Sequence, residues 1–138
     1  MQIEIPTIES LDKAVEQFLP LLQNHNIFAF HAEMGSGKTT FISKLIQKMG
    51  YTGDVSSPTF SIINEYETSD YGVCYHLDLY RIESDEEAYD IGIEEILYGK
   101  NVVFLEWPSK IENLLPENTV IVRIEVENNI RKLTTHGD

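Results

Sequence analysis

Gly35-Ser36-Gly37-Lys38-Thr39 is a run whose residue types suit one task, the holding of a polyphosphate. Glycine lacks a Cβ, so a backbone built on Gly35 and Gly37 can curl until its N–H groups face phosphate oxygens. Lys38 supplies a mobile positive charge for the outer phosphates. The hydroxyl of Thr39 suits one position around Mg²⁺. The loop departs from the strict Walker A pattern at one place: Ala32 stands five residues before Gly37, where glycine is usual. A mere glycine-rich turn before a helix leaves Lys38 and Thr39 unexplained.

A nucleotide-bound Mg²⁺ also calls for carboxylates. Two lie at the ends of expected strands. Asp78 sits in His76-Leu77-Asp78-Leu79-Tyr80-Arg81, and Glu106 follows the apolar run Val102-Val103-Phe104-Leu105. Ligands of α/β sheets gather beyond the carboxyl ends of strands, which favours Glu106 over Asp78. Each acid could instead cap the next loop or helix. Thr59, in Ser57-Pro58-Thr59-Phe60, lies where a switch threonine is common. Pro58 gives that segment an equally good structural role.

The elements that must position these groups follow from periodicity. Residues 27–31 form an apolar strand that runs straight into the loop. Phe41, Ile42, Leu45, Ile46 and Met49 repeat at helical spacing, with Gly50 at the C-terminal stop. Upstream, residues 2–5 read as a short strand. Leu11, Ala14, Val15, Phe18, Leu19 and Leu22 mark one helical face, capped by Thr7 or Ser10. Residues 60–67 and 72–79 read as an antiparallel hairpin. Ser84-Asp85-Glu86-Glu87 reads as a capping box opening a short helix that Gly92 breaks, and a second short helix runs to Tyr98. Val102 to Leu105 reads as a fully buried central strand, and residues 120–126 as a late strand at an edge. This alternation predicts a three-layer α/β domain over residues 1–138, of the P-loop NTPase type, with a mixed sheet.

Composition narrows the function. The net charge is −13, with ten basic residues in 138. Nucleic-acid binding rests on Lys and Arg neutralising phosphates, so direct binding of nucleic acid, DNA included, is disfavoured. Between residues 83 and 95 there are seven carboxylates and no cation. Such a run is commonly a solvated helix face, and otherwise a docking surface for a basic partner. No apolar stretch is long enough to span a membrane, and the first residues do not read as a secretion signal. The lone Cys74 reads as a buried structural thiol, in keeping with the cytosol.

Residues 34–41, Ser57-Pro58-Thr59-Phe60, the segment from His76 to Arg81 and Glu106-Trp107-Pro108 occur in an order and at a spacing that resembles the TsaE (YjeE) family of small ATPases. The resemblance covers nearly the whole chain and weakens after Val126. Where that family has Gly-Asp, this chain has Ala32-Glu33, which lengthens the acidic side chain by one methylene. The resemblance implies an ATP-binding and hydrolysing subunit, weak alone and activated in complex. It would act with TsaB and TsaD in forming threonylcarbamoyladenosine on tRNA, contacting tRNA only indirectly. Carried onto this chain, Glu33, Met34, Gly35, Ser36, Gly37, Lys38, Thr39 and Thr40 would hold the nucleotide. Thr39, Glu106 and Asp78 would serve Mg²⁺. Thr59 would sense phosphate, and Arg131 would approach the nucleotide from a late segment. Trp107 would pack beside the site or at a partner surface, and the entry to the first helix, Thr7 to Ser10, is a plausible side for the base.

Two other classes use the same loop. A small-metabolite kinase would need an acceptor pocket and an arginine-bearing lid, and the chain has only Arg81, Arg123 and Arg131 and no evident lid insertion. A nucleotide-binding adaptor would bind without turnover. A GTP-dependent switch would want an Asn-Lys-x-Asp guanine motif, and none occurs.

Overall fold

In a computed structural model, residues 1–33, 35–53, 55 and 62–138 are described. Among these residues seven strands form one sheet: β1 (Gln2–Ile5), β2 (Ile27–Ala32), β3 (Ile63–Thr68), β4 (Gly72–Asp78), β5 (Val102–Glu106), β6 (Val120–Glu127) and β7 (Ile130–His136). Their spatial order is β1-β7-β6-β2-β5-β4-β3. The inner strands β6, β2, β5 and β4 run parallel, while β1, β7 and β3 pair antiparallel with their neighbours. The mixed α/β sheet expected from the sequence is present.

Among the described residues four α-helices flank it: α1 (Leu11–Phe18), α2 (Lys38–Lys48), α3 (Asp85–Asp90) and α4 (Ile93–Leu97). Strand side chains alternate between faces. Phe28 and Phe30 of β2 therefore join Phe104 of β5 under α1 and α2. The phenyl ring of Phe18 meets that of Phe41 edge-on at 5.4 Å there. Ile27 and Ala29 point the other way, joining Val103 and Leu105 beneath α3, α4 and a 3₁₀ segment at Pro108–Leu114. Two cores on opposite faces make the three layers, and both faces of β5 are buried along its whole length.

Several boundaries differ from the periodic reading. α1 ends at Phe18, and Leu19–Gln23 tightens into 3₁₀ geometry with Pro20 in its first turn, where no N–H is available for a helical bond. Thr7 caps a 3₁₀ turn ahead of α1, reciprocally with Ser10, and Ser10 gives α1 no side-chain cap. Ser84 caps α3 by accepting from the Glu87 N–H, but the Glu87 carboxylate accepts from the N–H of Glu83 rather than Ser84, so the box closes one residue early. Gly92 separates α3 from α4 at φ +82°, a left-handed backbone that glycine adopts without strain.

The largest correction concerns the C-terminal part. β6 is no edge: it lies between β2 and β7. The sheet continues through β7 and β1, so β1 and β3 are the edges. Cys74 is buried as expected, and burial pushes its thiol up to about 12.

Candidate nucleotide site

The loop between β2 and α2 begins where β2 leaves the sheet. Ser36 N–H bonds the carbonyl of Glu33 at 3.1 Å, closing a turn. Gly37 follows at φ +94°, and a Cβ there would stand 2.9 Å from Nε of Arg131. Both the backbone angle and the guanidinium therefore demand glycine at 37. Among the described residues no side chain caps α2, and a helix start without a cap presents its first N–H groups to an anion.

Around this loop a cavity of about 390 Å³ is lined by Gly35, Gly37, Lys38, Thr39, Thr40, Asp78, Glu106, Trp107 and Arg131. A larger hollow of about 560 Å³ lies past the N-terminal end of β2, beside Asn26, Tyr98 and Glu117, and has no cation in its lining. The smaller cavity gathers the charged candidates. It stands at the carboxyl ends of β2, β5 and β4, where the loop and both acids converge.

Each charged group in the cavity has a defined setting. Lys38 is 6% exposed; its Nζ donates to the carbonyl of Ala32 at 3.4 Å and lies 4.0 Å from the centroid of the Trp107 ring. Burial pulls the Lys38 pKa down, against the opposing charges of Glu106 and Asp78. Thr39 donates its hydroxyl to Oε1 of Glu106 at 2.9 Å. The other oxygen of Glu106, Oε2, meets Nε2 of His76 at 2.5 Å. Asp78 is level with Glu106 across the strand pair, and its Oδ1 accepts from Tyr80 N–H at 3.1 Å. That bond is the loop-capping role open to such an acid. Burial raises the Asp78 pKa, opposed by the Tyr80 bond and reinforced by the charge of Glu106.

Trp107 adopts φ 59°, left-handed for a bulky residue and strained by about 1–2 kcal/mol. The turn lays its indole between Lys38 and the ring of Tyr80, 5.1 Å away. Arg131 arrives from β7, and its Nε donates to the Ser36 carbonyl at 2.7 Å, bracing the loop from a residue 95 positions away. On the far side of Arg131 a narrow, mostly apolar slot is walled by Ile5, Thr7, Ile8 and Leu11 and shares Gly37, Thr40 and Arg131 with the loop.

The twelve sequence-derived candidates thus divide plainly. Gly35, Gly37, Lys38, Thr39, Thr40, Asp78, Glu106 and Arg131 line one cavity; Ser36 is buried in the loop, and Glu33 is exposed at its start. Met34 and Thr59 lie outside the described residues. His76 was missed. The signal was available: it stands two residues before Asp78, on the same face of a strand, as a polar residue among apolar ones.

The donor set fits Mg²⁺ brought by a nucleotide. It offers hard oxygens from Thr39, Glu106 and Asp78. Among the described residues there is no cluster of three metal-ligating acids, histidines or cysteines.

Comparison with known proteins gives a consistent result. Residues 5–133 match the family described as threonylcarbamoyl adenosine biosynthesis protein TsaE. The chain is 35% identical over 123 residues to the tRNA threonylcarbamoyladenosine biosynthesis protein TsaE of Rickettsia prowazekii, covering 88% of this chain and 84% of that one. Against the protein of the same name from Bacillus subtilis it is 37% identical over 102 residues, covering 72% and 61%. The crystal structure of Bacillus subtilis YdiB superposes with a TM-score of 0.77 at 24% identity, covering 98% of this chain and 83% of that one, and shares its fold.

Proposed function

Because this chain belongs to the TsaE family, we propose that it is the Mg²⁺-dependent ATPase subunit of a threonylcarbamoyladenosine-forming system for tRNA. The observation that carries this reading is the convergence of Lys38, Thr39, Glu106 and the uncapped start of α2 on one cavity. The α2 N–H groups and Lys38 would bind the phosphates. Mg²⁺, when bound, would neutralise charge developing on the phosphoryl oxygens, and Thr39 and Glu106 would hold it, with Asp78 alongside. Lys38 must leave the Trp107 ring and the Ala32 carbonyl to reach a terminal phosphate. The slot beside Ile5 and Ile8 would take the base, with Arg131 between base and phosphates. Residues 1–138 would act as one ATPase domain in the cytoplasm.

TsaB and TsaD would be its protein partners, and tRNA would be reached through them. The charge of −13 favours that division of labour. Glu86, Glu87, Glu94 and Glu95 are all exposed on α3 and α4, and this surface would meet the partners.

The test is to mix the chain with TsaB and TsaD and follow assembly and ATP turnover together. Lys38→Ala should abolish most turnover and weaken Mg-ATP binding by about 1.5–3 kcal/mol, the worth of a hydrogen bond to a charged group. Unchanged ATP affinity and turnover would remove the assignment of the loop. Glu86→Lys, Glu87→Lys and Glu94→Lys together should slow assembly, and added salt should shrink the difference from the parent chain. Normal assembly would leave α3 and α4 as a solvated surface.

A further inference from the structure

Glu106 is held on both sides, and only one of its partners faces the cavity. Thr39 donates to Oε1 at the cavity wall. His76 meets Oε2 from inside the protein, fully buried, while Glu106 is 2% exposed. The contact follows from topology. β4 and β5 are parallel, with His76 opposite Phe104 and Asp78 opposite Glu106, so alternation turns all four toward α2.

An ionised carboxylate only accepts hydrogen bonds, so the proton of the 2.5 Å contact belongs to Nε2 of His76. The terminal torsion of a glutamate is broad and roughly two-fold, so a carboxylate with one free oxygen turns easily. With Oε2 tied, Oε1 has a single orientation. We propose that His76 is a positioning residue for Glu106, its Nε2–H fixing the carboxylate from beneath so that Oε1 is presented to Thr39 and to a nucleotide-borne Mg²⁺. The proposal rests on the reading of the loop as a Mg-nucleotide site. It assigns His76 more than packing, because its side-chain partner among the described residues is the acid of that site.

The intact chain allows a decisive test with a non-hydrolysable ATP analogue, its affinity measured by calorimetry in EDTA and in Mg²⁺. The parent should bind more tightly with Mg²⁺. His76→Phe fills the volume without a donor, and should lose about tenfold or more of that Mg²⁺ gain, as partners of metal-ligating groups do, with unchanged affinity in EDTA. His76→Gln restores an N–H donor and should keep most of the gain. A packing role predicts the reverse order, with Phe tolerated better than Gln in an apolar interior. Nitrogen-15 spectra of the unsubstituted chain should report His76 protonated on Nε2, a readout that needs no variant to fold. A His76→Phe chain with the full Mg²⁺ gain, or an Nδ1-protonated tautomer, would overturn the proposal alone. A parent chain with no Mg²⁺ gain would instead bring down the site reading, and this proposal with it.

Discussion

β4 and β5 end side by side, and each ends in an acid: Asp78 and Glu106 stand directly opposite one another. Their settings diverge. Glu106 is the deeper of the two, yet its pKa is lowered, because two side-chain donors and the charge of Lys38 overcome the burial that pushes it up. Asp78 is only partly buried, yet burial raises its pKa: the Tyr80 N–H and the positive charge nearby, Lys38 included, do not offset it, and the neighbouring Glu106 charge adds to it. Depth alone therefore does not decide which carboxylate stays charged; the donors aimed at it do. One strand end is built to keep an anion in place. The other tolerates one.

Glu106→Gln should have the larger effect. It keeps the size and removes the charge held by Thr39 and His76, and turnover should fall by about 10²-fold, more than nucleotide binding does. Asp78→Asn keeps the oxygen that accepts from Tyr80, and its turnover loss should stay below about tenfold. Steady-state kinetics with partners present would compare them, and equal losses would erase the distinction between the two strand ends.

A smaller effect with opposite signs separates the acids by stability. Glu106 has a lowered folded pKa, so its stabilisation is fully present above the usual carboxylate value, about 4.3, and is lost as pH falls through the folded value beneath it. Asp78 has a raised folded pKa. Its contribution is present below the unfolded value, about 3.9, and is lost as pH rises through the folded value above it. Urea melts across the acid range should show the parent's advantage over Glu106→Gln shrinking on acidification. The parent should lose ground to Asp78→Asn as pH rises through the carboxylate range. Parallel curves would mean that both acids feel the same surroundings.

The sequence makes some of this legible and hides the rest for physical reasons. The loop, its preceding strand and the acid after Leu105 are local patterns, fixed within a dozen residues, and the site assembles from them. The place of His76 two residues before Asp78 is a local hint, but its contact with Glu106 needs the pairing of β4 with β5, segments about thirty residues apart. β7 hides because Ile130–His136 puts only two buried side chains, Leu133 and Thr135, among polar ones. Its turn carries Asn128 and Asn129 at positive φ in place of the more telling Asn-Gly. Without β7, the alternation of β6 looks like an edge. Pro20 is visible, but the apolar spacing through Leu22 outvotes it unless the lost N–H is counted.

The brace from Arg131 to Ser36 also sets an order of events during synthesis. Translation delivers the loop early and β7 late, with 95 positions between donor and acceptor. β1 pairs with β7, which is made long after it. A nascent chain that has emerged only as far as β6 therefore holds a loop with no guanidinium behind it and a first strand with no neighbour. Contacts between such distant segments close slowly and leave strand edges bare in the meantime. The lining of the cavity is then complete only when β7 docks, and a ribosome-stalled chain short of Arg131 would lack the brace.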